Sequence, residues 1–453
     1  MKRVDMLSGP IGKSVITFSI PVFLTYLIQL MYHTTDTLIV GRFLGTDPQA
    51  AVGAGGNLIT LMIGLLGGIT VGVSVLVARY FGAEDREGMK RLTTAALILA
   101  VLLSVLFALF GVLFCPTYLR LVHTPEHILP MGVAYLRVYC MSIPAMVLYN
   151  LGLGMLRGIG DSFRPMLFQI AGGLLNVLFD VVFLIVLHME AVGAAIATLL
   201  VQSLVAVAVM LYLLLPRKQF IVGRYSLSAI YEELRKILSI GAPAGFQAML
   251  ITLSNVLISA EINRHGAVAI AAFSVYFEVE LLVWYSIVSF GQAAAVFVGQ
   301  NYGAAQHVRI LQGVRVINRI GVVFTVAMSL FCIALAPQLF SLFSKDPEVI
   351  TFGSNILRIT FPFYFVYVFL QVFGDSLRSL EYSFAVMLTV LLNIGLLRVA
   401  LMYVLLHIFG TVEALVVVYP ITWFTAAVSM AVLYIAKTKK LKKGEDSYET
   451  QIA

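Results

Sequence analysis

The chain has 453 residues, of which 60% are hydrophobic and only 12% charged. That is about half the ~25% charge of a soluble domain, and the mean hydropathy of +0.97 excludes a soluble globular protein. The formal net charge of +7 is spread over short loops between apolar stretches, which is how membrane proteins set their orientation, so no nucleic-acid partner is expected.

In chain order, residues 1–13 are short and basic, with no small-residue cleavage site after them. The first apolar run is therefore expected to be a retained helix. Twelve runs of about 20 residues, each long enough to cross a bilayer, follow at 14–41, 50–78, 93–115, 131–154, 165–187, 192–215, 237–260, 267–298, 316–340, 352–374, 383–406 and 413–436. An even number places both termini on one side. With the N-terminus inside, 23 Lys and Arg fall on inner segments and 6 on outer ones. This bias predicts cytoplasmic termini and a multi-pass protein of a bacterial inner (cytoplasmic) membrane. The expected architecture is all-α, with an N-terminal six-helix lobe at 1–215, a cytoplasmic linker at 216–236, a C-terminal six-helix lobe at 237–436 and a cytoplasmic tail at 437–453. Cys115, Cys140 and Cys332 lie in or beside apolar segments without metal-ligand spacing, which predicts packing roles.

The two halves repeat. At an offset of 221, Leu136 and Arg137 match Leu357 and Arg358, and Leu156, Arg157, Ser162 and Phe163 match Leu377, Arg378, Ser383 and Phe384. At 222, Pro21 matches Pro243, and the run from Gly173 to Val177 matches the run from Gly395 to Val399. Each half holds an even number of spans, so the copies share one orientation. A pseudo-two-fold axis along the membrane normal follows, as in transporters with parallel repeats.

Buried charges point to function. An Asp at a helix centre costs roughly 2.5–3.5 kcal/mol on insertion scales. Asp36 and Asp180 both fall within spans. Counting ~1.5 Å per residue from the outer ends, Asp36 lies about 9 Å deep and Asp180 and Thr198 about 12 Å deep. Asn176 is one turn from Asp180 on the same face. Carboxylate, amide and hydroxyl oxygens suit Na⁺, and two neighbouring carboxylates also raise each other's proton affinity. The competing reading is that the acids only hydrogen-bond neighbouring helices. The repeat supplies a control: the counterparts of Asp36, Asn176 and Asp180 are Ile258, Arg398 and Met402, and Thr198 maps to Val418 or Pro420. The second copy lacks this chemistry.

Pro21, the stretch Asp36-Thr-Leu-Ile-Val-Gly41-Arg-Phe-Leu-Gly45, the run from Gly152 to Ser162, and Asn176-Val-Leu-Phe-Asp180 together resemble the signatures of the MATE (multidrug and toxic compound extrusion) transporters over essentially the whole chain. The resemblance implies H⁺- or Na⁺-driven export of small, cationic amphipathic compounds by alternating access. It places the cation site at Asp36, Asn176, Asp180 and Thr198, with a first helix bent at Pro21. Proline independently favours a kink there. One branch of the family carries an acid early in the seventh helix, where this chain has Gln247.

For the substrate cavity the candidates are Glu278 and Glu280, near the midplane of the eighth span, together with Asn57, Gln247, His33 and Arg398. Asn57 is the repeat partner of Glu278. A salt bridge to Arg398 is the alternative role for Glu278, and His33 lies one turn before Asp36. Asp161 and Asp375 read as caps or loop contacts. No cofactor and no catalytic residues are expected; the partners are a small-molecule substrate and the bilayer, and the chain is expected to be a monomer. Flipping a lipid-linked precursor is the alternative function. It fits less well because Arg398 is the only basic residue placed clearly within the membrane, away from a span end, whereas a pyrophosphate cavity calls for several.

Overall fold

The computed structural model describes the backbone of residues 3–43, 46–214 and 220–452, and the side chains of these except 32–43, 46, 57, 414 and 440–452. The regular secondary structure is helical: α1 (Ile11–Phe43), α2 (Thr46–Gly82), α3 (Arg86–Leu121), α4 (Leu129–Met141), α5 (Ile143–Gly158), α6 (Phe163–Asp180), α7 (Glu190–Leu214), α8 (Leu227–Ile262), α9 (Ala267–Gly303), α10 (His307–Ala334), α11 (Ala336–Ser341), α12 (Pro347–Thr360), α13 (Tyr364–Ser379), α14 (Ser383–Val390), α15 (Arg398–Phe409) and α16 (Val412–Ile452). Hydrocarbon offers no partner for backbone N–H and C=O groups, so a spanning segment of this composition closes its own hydrogen bonds as a helix.

Among the described residues, eleven helices are long and apolar enough to span, and the pair α4 and α5, bent by 40° at Ser142, makes a twelfth. The fourth span of each repeat is broken at a proline. Pro144 opens α5, and Pro362 lies in the 3₁₀ turn Phe361–Phe363 between α12 and α13. A proline N–H is missing from the ladder, so the helix is easily interrupted there. The ends are capped locally: Asp85 accepts the Gly88 N–H at 2.8 Å ahead of α3, and Asp346 accepts the Glu348 N–H at 2.9 Å ahead of α12. Gly410 closes α15 in the left-handed conformation, φ 64°, where a side chain would be strained.

By its contacts the chain forms two compact units, Met1–Arg3 with Leu24–Gly245, and Val4–Phe23 with Phe246–Ala453. Apart from the one between Arg3 and Val4, the boundaries fall inside helices. One lies inside α1 and the other inside α8, two residues beyond Pro21 and Pro243 and 222 residues apart. That spacing is the offset of the repeat itself. The division therefore differs from a cut at residues 216–236, and α8 begins at Leu227, inside the stretch read as linker. Ile230, Glu233, Ile237 and Ile240 are buried at helical spacing there. Four charges among these residues give the stretch a polar average and conceal its apolar face.

In the first unit, α8 meets α2 through glycines. A Cβ on Gly68 would lie 2.3 Å from the Gly241 carbonyl oxygen, and one on Gly245 would lie 2.6 Å from that of Leu65. Gly68 and Gly72 face Gly241 and Gly245, the small-xxx-small spacing that lets membrane helices approach backbone to backbone. Below this seam Glu233, 1% exposed, accepts from Tyr80 at 2.9 Å and from Lys236 at 3.0 Å.

In the second unit, the segment before α1 is tied down. Met6 is fully buried. Its carbonyl accepts from Asn301 Nδ2 at 3.0 Å and from Arg309 Nε at 3.3 Å, and Arg309 Nη2 reaches the carbonyls of Ser8 and Gly9. Asp5 accepts from the Ser8 hydroxyl and from the Leu7 and Ser8 amides, and these bonds hold its carboxyl below the usual carboxylate range. The three cysteines are buried and free.

Candidate cation site and its counterpart in the second repeat

On α6 the buried residues Met166, Gln169, Gly173, Asn176 and Asp180 recur at alternating spacings of three and four, the signature of one helix face. Three of the five are polar. Asn176 is 6% and Asp180 1% exposed. Gln169 is held by the hydroxyl of Tyr149 on α5. Sequence reasoning missed both Gln169 and Tyr149, because a lone Gln one turn from apolar neighbours carries no charge signal. Asn176 Nδ2 is buried with no hydrogen-bond partner among the described residues. An unpaired buried amide costs free energy, so the position favours a ligand or carboxylate at this amide.

α7 packs against α6 and carries Thr198, which is half-buried. Directly after Asp180 the helix widens into the π-turn segment Val181–Val186. Such insertions are rare and concentrate at functional sites. Asp36 and His33 lie outside the described side chains, as does Asn57 on α2. The described part of the cluster is thus Asn176 and Asp180 on one face, with Thr198 on the adjacent helix. Among the described residues, no group of three His, Cys, Asp or Glu side chains converges to hold a metal. What is present is oxygen chemistry suited to H⁺ or a hard cation.

The same position in the second repeat is built differently. Arg398, 3% exposed, follows the π segment Leu391–Leu397. Its Nε donates to Thr422 Oγ1 at 3.2 Å, its Nη1 to Asn255 Oδ1 at 3.4 Å, and its guanidinium lies 4.9 Å from the centre of the Tyr419 ring. Met402 is 1% exposed, and Ile258 and Val418 are fully buried. The fold keeps these positions inside and fills them with one cation, Arg398, and otherwise apolar side chains.

The two glutamates of α9 separate. Two residues apart on a helix is about 200° of rotation, so they face opposite ways. Glu278 is exposed, and Glu280 is held by the Tyr364 hydroxyl. Tyr276 joins this group, donating to Thr360 Oγ1 at 3.0 Å and lying 3.3 Å from the Tyr364 oxygen. The ring of Trp423 packs at 4.5 Å on Tyr364. Gln247 accepts from Arg378 Nη2 at 2.7 Å. Arg378 also pairs with Asp375, whose other oxygen accepts from Gln371 at 2.7 Å. Asp375 is therefore the centre of a buried network, whereas Asp161 makes a local contact with Arg164 just ahead of α6.

The sequence model of the MatE family matches residues 21–182 and again 243–404. The chain belongs to the MatE family. The two matches stand 222 residues apart, which is the repeat read from the sequence. The chain is 29% identical over 378 residues to the probable multidrug resistance protein YoeA of Bacillus subtilis (strain 168), covering 82% of this chain and 81% of that one. It is 25% identical over 440 residues, 96% of each chain, to an FAD transporter of Shewanella oneidensis. Its fold superposes with a TM-score of 0.91, at 24% identity and over 98% of this chain and 99% of the other, on a structure described as the outward-facing conformation of a multidrug resistance MATE family transporter of the MOP superfamily. This MatE protein is a multi-pass membrane transporter of two six-helix lobes, and members of the family are not enzymes.

Proposed function

We propose that this MatE protein is an antiporter of a bacterial inner membrane, in which H⁺ or Na⁺ binding at Asp36, Asn176, Asp180 and Thr198 drives export of small, cationic amphipathic compounds. The observation that carries the reading is Asp180. It is a carboxylate at 1% exposure inside an apolar span, one turn from Asn176 and beside a π segment, and the second repeat dispenses with it. Intramembrane acids mark ion pathways. Binding a cation there changes the charge on a buried face of α6 and biases the equilibrium between outward- and inward-facing states. The multidrug resistance relatives support the substrate class.

Transport in proteoliposomes with Na⁺ and pH gradients imposed separately, against a panel of cationic dyes, tests this. The wild type exports dye under at least one gradient, and Asp180→Asn protein, present at normal level, loses at least about tenfold of that export. Full transport by that variant contradicts the assignment. A second reading, export of an anionic dinucleotide, is favoured by the FAD transporter relative and by Arg398. That side chain is buried and has no carboxylate within 4 Å among the described residues. Including FAD in the panel separates the two.

A further inference from the structure

A groove of about 500 Å³ opens between α10, α13 and α16 of the second unit, and the transport reading makes no use of it. Its walls are apolar, with Val322, Phe369 and Phe373 among them, and three basic residues line it: Arg315 and Arg319 on α10 and Lys439 on α16. Arg315 and Arg319 are one turn apart and share a face. All three are exposed, and none pairs with a carboxylate among the described residues. The charge distribution of the sequence puts this end of α10 and α16 on the cytoplasmic side.

Two further groups point to a ligand. Asn318 and Tyr434 line the same groove at 6% and 7% exposure. Asn318 Oδ1 and Tyr434 Oη are each buried with no hydrogen-bond partner among the described residues. The amide nitrogen of Asn318 is already committed to the Val314 carbonyl at 2.9 Å, so its free oxygen needs a donor. Tyr434 is held by Phe373, stacked at 4.8 Å, and its hydroxyl supplies a donor. A buried polar atom of this kind is costly unless something satisfies it. The groove thus offers three cations and one hydroxyl donor for an anion, one acceptor for a hydroxyl, and apolar walls for chains.

We propose that this groove binds an anionic phospholipid with a hydroxylated headgroup, of the phosphatidylglycerol class. The phosphate sits among Arg315, Arg319 and Lys439 and accepts from Tyr434. A glycerol hydroxyl donates to Asn318 Oδ1, and the acyl chains lie along Phe369, Phe373 and Val322. Basic pockets between membrane helices on the cytoplasmic side recognise anionic headgroups in this way.

The test is native mass spectrometry of the full-length protein in detergent, titrated with phosphatidylglycerol, with phosphatidylcholine of the same acyl chains, and with inorganic phosphate as competitor. Wild-type protein retains phosphatidylglycerol in preference to phosphatidylcholine. Loss of each basic residue is expected to weaken retention about fivefold, so Arg315→Gln with Arg319→Gln weakens it roughly 25-fold. Arg315→Lys with Arg319→Lys keeps most of the binding, which shows that the groove tolerates substitution there. Tyr434→Phe, which keeps the packed ring, weakens it several-fold. Arg235→Gln, an exposed basic residue elsewhere, changes nothing. Equal retention of phosphatidylcholine, an equal loss in Arg235→Gln, or complete displacement by inorganic phosphate at matched concentration would each overturn the proposal.

Discussion

The two repeats bury the same helix face to a similar degree and line it with different chemistry. On α6 the face presents Asn176 and Asp180. At the equivalent positions the second repeat presents Arg398 and Met402, both buried. Burial alone therefore does not require a carboxylate there, since the second copy folds without one. The second repeat has acids of its own: Asp375, buried and paired with Arg378, and Glu280 on α9, half-buried and engaged by Tyr364. The difference teaches that acidity is present in both lobes while the pairing of Asn176 with Asp180 on one buried face belongs to the first.

The largest expected effect comes from moving chemistry between repeats. Asn176→Arg, which gives the first repeat the residue of the second, should abolish gradient-driven dye export if Asp180 is the proposed ion site, because it sets a fixed cation beside that carboxylate. Export measured in everted vesicles at matched protein level checks this; retained export breaks the comparison. Asp180→Asn should cost at least about tenfold, the usual loss for a group that holds an ion, while Met402→Asn at the matched position should leave export within about threefold. Equal losses in both would mean that the face is merely structural.

The glycine seam is the next test. It lies in the first unit, where α8 touches α2. Gly241→Val puts a side chain 2.8 Å from the Gly68 carbonyl oxygen, and backbone cannot move aside as a flexible side chain would. Overpacking of this kind costs about 1–3 kcal/mol, read as a lowered thermal midpoint in detergent. Gly53, against which nothing lies within 4 Å, should accept Ala without such a shift. Smaller again is Glu233→Gln, which keeps the shape but weakens the bonds from Tyr80 and Lys236. About 1 kcal/mol is expected, since Lys236 stays partly solvated and is not left as a buried charge. The smallest effect concerns Asp5. Its folded-state pKa is lowered, so the stabilisation it gives is present above the ordinary carboxylate range and is lost as pH falls through the folded value. The protection of the Leu7 and Ser8 amides should therefore fall on acidification, so that their exchange slows less than the intrinsic rate does.

Much of the fold was legible because a bilayer restricts the choices. Twelve apolar runs had to be helices, and the repeat could be read from Pro21 against Pro243 and from Gly173 against Gly395. Asp180 and Asn176 were visible because charge and amide are out of place in such runs. What escaped was set by contacts across long sequence separations or hidden by averages. The first lobe takes in residues up to Gly245 because α8 carries an apolar face from Ile230 to Ile240 among its charges. The anchoring of Met6 depends on Asn301 and Arg309, some 300 residues away. Gln247 was read as a cavity residue, yet it belongs to the network of Asp375 and Arg378, which only the approach of α8 to α13 creates. Glu278 and Glu280 looked alike in sequence, and only their opposite facing distinguishes them.

The central claim is that ion coupling runs through the first repeat and not through the Glu280 carboxylate of the second. The most direct measurement is the flux of H⁺ or Na⁺ that accompanies each dye molecule exported from proteoliposomes, compared among wild type, Asp180→Asn and Glu280→Gln. The account predicts that Asp180→Asn loses the coupled flux and that Glu280→Gln retains it. Coupling kept in Asp180→Asn and lost in Glu280→Gln would contradict it.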